Sequence, residues 1–171
     1  MHMNIVWKDA SWRQFGAAID MLDNALLAYP EELWGDQTQE QQFWYVTYHC
    51  LFWLDLYLSG AVEGFMPPAP FTLEELDPAG VLPARVYTTD ELRNYLLHCR
   101  RKCQGRIEAL TSERAQELCP ICKNGVSFIE LLLYNMRHVQ EHASQVSLIL
   151  GQKYGSAPHW VGRAKNYQNE G

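Results

Sequence analysis

The stretch Leu131-Leu132-Leu133-Tyr134-Asn135-Met136-Arg137-His138-Val139-Gln140-Glu141-His142-Ala143-Ser144-Gln145 reads as the middle of a long amphipathic helix. Its apolar positions recur at helical spacing, and neither proline nor glycine interrupts it. Upstream, Ser127-Phe128-Ile129-Glu130 spells a capping box, in which serine and glutamate satisfy free N–H groups of the first turn. The pattern predicts a helix from there to about Gln152. At about 100° per residue, His138 and His142 fall one turn apart on one arc with Leu131, Asn135, Gln145 and Ile149. Leu131 and Ile149 are apolar, so that arc is expected to face inward. Two imidazoles one turn apart on an inward face have the geometry of two ligands to a divalent metal.

Three further helices precede it. The first is expected from about Asp9 to Tyr29, where Pro30 stops it, with Phe15, Ile19, Leu22 and Leu26 as its apolar stripe. The second, about Gln39 to Leu58, is apolar nearly all round, which marks a helix deep in a bundle. His49 lies mid-way along it beside Tyr45, Val46, Trp53 and Leu56, and is expected to point into the core. The third starts at Thr89 or Asp90 and runs to about Leu110, with Leu92, Leu96, Cys99, Cys103 and Ile107 in line. Between the second and third helices lies a proline-rich connection, Gly60 to Tyr87, with one helical turn expected at Leu73 to Leu76. A connection of that length covers something or does something, and it suits a bundle that needs a crossover. A short helix is expected at Ser112 to Leu118, then a turn at Cys119 to Gly125. The fold class is all-α: a four-helix bundle with a long crossover between helices 2 and 3, residues 1–171 forming one domain.

Composition narrows the function. The chain has 171 residues, 47% hydrophobic and 20% charged, with 14 Lys+Arg against 20 Asp+Glu. A net charge of −6 argues against reading a phosphate backbone and against a polybasic membrane anchor. The densest apolar window, Cys50 to Leu58, contains Asp55 and is too short to span a bilayer. Met1-His2-Met3-Asn4 lacks the basic and apolar segments of a signal peptide. Five cysteines, an odd number without a secretory address, point to reduced thiols and a cytoplasmic location.

The informative constellation is His49, His138 and His142. A lone buried histidine is usually a satisfied core residue, but three inward imidazoles need partners for three sets of ring nitrogens. Their apolar neighbours do not supply them, whereas one shared metal satisfies a nitrogen on each ring. Three ligands leave a coordination position open, as catalytic centres do. Tyr45, Asn135 and Gln145 are candidates to orient the ligands or contact a substrate. The competing site is cysteine-based. Cys99 and Cys103 share one face of the third helix, and Cys119-Pro120-Ile121-Cys122 resembles half a zinc knuckle, so four thiolates could form a structural zinc or redox site. Against this, Cys99 and Cys103 occupy a regular core stripe, where cysteine behaves as a small hydrophobe.

The second-helix segment Phe43-Trp44-Tyr45-Val46-Thr47-Tyr48-His49, the stretch 131–145 and the tail Pro158-His159-Trp160-Val161 together resemble the DinB-like (YfiT-type) family. The resemblance implies a four-helix bundle whose metal is held by a second-helix histidine, here His49, and a fourth-helix pair, here His138 and His142. It implies zinc, nickel, iron or manganese as the divalent ion, homodimerisation, and transfer or isomerisation chemistry using low-molecular-weight thiols. The expected function is therefore a metal-dependent enzyme, a thiol-linked transferase or isomerase or a hydrolase, acting on a small molecule, with no nucleic-acid or membrane partner. The alternative is a non-catalytic metal-binding or interaction protein with a structural ion.

Overall fold

The computed structural model describes residues 5–31, 34, 42–121 and 125–164. Helix α1 spans Ile5–Ala28, one turn earlier at its start than its apolar stripe suggests. The added turn is held by tertiary contacts: Trp7 packs on the core, and Lys8 Nζ donates to the Glu108 carbonyl at 2.8 Å. Helix α2 spans Phe43–Ser59; the expected start at Gln39 lies outside the described residues. It ends at Gly60, whose φ of 83° lets its N–H turn back to the Leu56 and Tyr57 carbonyls. Helix α3, Thr89–Glu108, is capped by Thr88 and Glu91 in a reciprocal box. At Ser127 the hydroxyl accepts from Glu130 N–H at 3.4 Å.

After α3 come a short α4, Ser112–Gln116, and two strands, β1 Leu118–Cys119 and β2 Val126–Ser127, paired antiparallel. The short helix ends at Gln116 and not at Leu118, and the ladder flanks the expected turn, of which residues 122–124 lie outside the described residues; two residues per strand are too few to show an alternation in sequence. Helix α5, Phe128–Tyr154, closes the bundle. The result is the expected helical bundle with its crossover, 60–87, between α2 and α3. Among the described residues, no helix is long and apolar enough to cross a membrane.

Helices α1 and α2 each pack on both α3 and α5, so α2 and α5 are neighbours. The core joins Ile19, Leu22 and Leu26 to Leu51, Phe52, Leu96, Cys103, Val139 and Val146, all essentially without exposure. The crossover is pegged to this core by Phe65 and Phe71; the Phe71 ring stacks on Tyr95 at 4.4 Å. Its one helical turn, Glu74–Leu76, is a 3-10 turn close to where it was expected.

Two expected orientations need correction. His49 does not point into the core: it lies with Tyr45, Val46, Trp53 and Tyr57 on the partly exposed side of α2, its side chain 33% exposed. That side is aromatic enough to pass for a buried one in sequence. On α5 the buried line is Leu131, Leu132, Asn135, Val139, Ala143, Val146 and Leu150, while His138, His142 and Ile149 flank it. The aliphatic residues take the centre of the interface, and the polar rings move to its edge.

Candidate metal centre

The groove between α2 and α5 receives one imidazole from the first helix and two from the second. The ring centroids of His138 and His142 are 4.6 Å apart, and His49 stands 5.8 and 5.1 Å from them. Each ring offers a nitrogen, and all three nitrogens lie within 4.8 Å of one another. The pair on α5 meets because i and i+4 residues stack on one helix face. His49 reaches them because α2 lies beside α5 and turns its polar edge toward the groove.

The outer ring nitrogens show which nitrogen each histidine has to spare. His49 Nδ1 lies 2.6 Å from Glu75 Oε2, and an ionised carboxylate only accepts, so Nδ1 carries the proton and Nε2 the lone pair. His142 Nδ1 lies 3.0 Å from Gln145 Oε1, a carbonyl oxygen, which leaves the His142 Nε2 lone pair free as well. That Nε2 faces His138 Nε2 at 3.1 Å, while the buried His138 Nδ1 has no hydrogen-bond partner. Two ligands at about 2.0–2.1 Å from a common zinc, separated by roughly 100–110°, stand about 3.1–3.4 Å apart. The His138–His142 spacing lies in that range, and the His49 nitrogen lies within 4.8 Å of both.

Burial keeps the two α5 rings in the neutral form a cation requires. Burial, followed by the charges of His142 and His49, pushes His138 down to about 3. Burial also lowers His142, against the opposing bond to Gln145. Burial alone would raise Glu75, but the hydrogen bond and electrostatic attraction of the His49 ring, then bonds from Tyr45 and Trp53, hold it below the usual carboxylate value. Tyr45 is pushed up to about 12 by burial and by Glu75, so it stays a neutral phenol. Trp53 Nε1 donates to the same Glu75 Oε2 at 2.9 Å.

The centre lies on the wall of a cleft of about 470 Å³, which His49 and His142 line together with Gln42, Tyr45, Val46, Leu82 and Gln145. Of the three polar candidates, Tyr45 and Gln145 are therefore at the site. Asn135 is elsewhere: fully buried, it donates to the Leu54 carbonyl at 3.0 Å and ties α5 to α2. Cys99 and Cys103 sit without exposure in the α3 core stripe, where burial pushes both thiols well up and disfavours thiolate. Cys119 is buried on β1, and Cys122 lies outside the described residues. Among the described residues, the three histidines are the group of His, Cys, Asp and Glu side chains close enough to share an ion. The residue that sequence reasoning missed is Glu75. Its signal was indirect: a metal-bound histidine usually gives its other N–H to a carboxylate, and the crossover carries several acids. Nothing local says which one docks.

A family model described as the DinB superfamily matches residues 12–146. Neither a curated protein nor a solved structure matches the chain.

Proposed function

The chain belongs to the DinB superfamily, and on that premise we propose that it binds one divalent metal ion at His49, His138 and His142 and uses it as an enzyme. The observation that carries this is the convergence of three imidazole nitrogens within 4.8 Å of one another, two of whose rings, His49 and His142, line a 470 Å³ cleft. A structural ion is normally sealed by a fourth protein ligand, whereas this centre faces open volume. An all-imidazole donor set suits zinc, nickel or iron better than manganese.

When bound, the ion would supply Lewis acidity, drawing the pKa of a water or thiol at its open position toward neutrality. The chain's own groups do the rest. Glu75 and Gln145 hold the outer N–H groups of His49 and His142, which fixes ring orientation and tautomer. Tyr45, bonded to Glu75 and lining the cleft, offers its phenolic oxygen to a substrate hydrogen-bond donor. Val46 and Leu82 give the cleft an apolar side. This combination supports a small-molecule reaction, a thiol-linked transfer or isomerisation or a hydrolysis, with a low-molecular-weight thiol as co-substrate in the first case. A homodimeric, cytoplasmic, one-domain protein completes the proposal, and sedimentation tests the dimer.

The deciding experiment is metal analysis of purified protein beside its His138→Ala and His142→Ala variants, with a screen of thiol co-substrates on the loaded protein. One ion per chain in the wild type and none held tightly in either variant is expected. Full stoichiometric metal in a variant removes the site assignment. Loaded protein inert to every thiol and hydrolysable substrate points instead to an ion that only pins α2 to α5.

A further inference from the structure

We infer that Glu75 is a positioning residue for the histidine centre, and that through it the crossover 60–87 is strapped to that centre, so that ion binding and crossover docking reinforce each other. The inference rests on the metal-binding reading above and adds to it a carboxylate and a moving part. Glu75 sits in the 3-10 turn of the crossover, 26 residues along the chain from His49, yet its side chain is only 5% exposed. Its bonded partners are Tyr45, His49 and Trp53. These three stand four residues apart, on three successive turns of one face of α2, so a single carboxylate spans that face. None of the three is a lysine or an arginine. A buried carboxylate without a fixed cation is costly. A divalent ion on the far nitrogen of His49 would put positive charge one imidazole away, and would favour the docked turn.

The reverse must hold equally. A docked Glu75 fixes His49 with its Nε2 lone pair free, so docking raises ion affinity by the same factor by which the ion favours docking. Other parts of the crossover have looser attachment. Leu73, Val81 and Leu82 are 38%, 48% and 54% exposed, and Leu82 borders the cleft itself. Loss of the Glu75 contact would therefore free the segment that forms one side of the cleft.

Zinc affinity is measured by competition with a chelating dye for the full-length wild type, Glu75→Ala and Glu75→Gln. The alanine variant is expected to bind zinc about 10–100-fold more weakly. The glutamine variant should fall between, because its amide oxygen still accepts the His49 N–H without carrying charge. Hydrogen exchange across residues 60–87 gives a second readout: zinc should slow it in the wild type and leave it unchanged in Glu75→Ala. A merely structural Glu75 would lower the melting temperature of the variants and leave zinc affinity alone, which overturns the inference. Zinc-independent exchange in loaded wild-type protein overturns the strap. If the alanine variant does not fold, wild-type affinity in folded Glu75→Gln overturns the role of the charge. A wild type that binds no zinc fails the histidine reading and this inference with it; equal binding by wild type and Glu75→Ala fails this inference alone.

Discussion

Helix α2 turns polar side chains toward both α3 and α5, and the two sites are built on opposite plans. Toward α3 it presents Asp55, 1% exposed, which takes the Lys102 ammonium at 2.5 Å and the Tyr95 hydroxyl at 3.1 Å. Nearby, α3 also binds α1 through Arg100 on Asp20 at 2.9 Å and Arg93 on Asp23 at 3.1 Å. In that network opposite charges meet in place. Toward α5, α2 presents His49 to two rings of the same kind, whose charged forms burial suppresses. Among the described residues, the buried side-chain atoms without a partner are Glu74 Oε2, Asn135 Oδ1, His138 Nδ1 and Ser147 Oγ, three of them on α5 and the other beside Glu75. Buried polarity that completes itself pins helices together. His49 and His142, with Nε2 lone pairs to spare beside a cleft, are where a ligand fits.

The largest expected effect tests the closed side. Asp20→Ala leaves the Arg100 guanidinium, only 8% exposed, without its carboxylate, and should cost about 3–5 kcal/mol in urea unfolding. Zinc affinity of whatever folds should stay at the wild-type value; a matching loss would show that the two regions are not separable.

Chelation tests the open side. On the proposed metal-binding reading, an ion would bind the folded chain and not the dispersed ligands, so its removal should lower stability by about 4 kcal/mol when free metal stood a thousandfold above Kd. For a chain of this length that is roughly 8–16 °C in melting temperature. The far-ultraviolet helix signal at 25 °C should persist, since the aliphatic and aromatic core does not depend on the centre. Collapse of that signal would make the ion part of the core, as in a zinc finger.

A smaller effect follows from protonation of the chelated protein. His138 sits near 3 in the fold against an ordinary value of 6.5, so the unfolded chain takes up its proton first. Stability is thus fully present above about pH 6.5 and declines as pH falls toward 3. Glu75, held below its ordinary 4.5, adds a loss in the same direction at the acid end. Urea midpoints between pH 7 and 4.5 should fall, and fall less steeply in His138→Gln. An unchanged slope in that variant would mean that the folded ring already carries its proton.

The smallest expected effect is none. The double variant Cys119→Ser, Cys122→Ser should hold the ion as tightly as the wild type. If it alone empties the protein, thiolates and not imidazoles are the ligands.

The helices were legible because their signals are local. Phe15, Ile19, Leu22 and Leu26 repeat at helical spacing, Pro30 stops α1, and the α5 pair His138/His142 is close by helix geometry whatever the tertiary fold. His49 was legible only in part. Its place on a helix and its residue type named it as a third ligand, but its neighbours are aromatic, and sequence alone cannot tell an aromatic rim from a core. The face that is buried depends on where α5 and the crossover lie, which is a property of packing.

Local sequence, then, determined the helical class, the crossover and the residue types of the centre, because helical periodicity and i,i+4 proximity are short-range consequences of backbone geometry. Tertiary structure alone decided that α2 lies beside α5, that His49 and the α5 pair meet at the edge of the core, that Asn135 ties two helices instead of lining the cleft, and that Glu75 is the acid that reaches His49. The physical reason is common to all four. Each depends on which surfaces bury against which across long stretches of chain, and a proline-rich connection with several acids carries no periodicity from which its docking can be read.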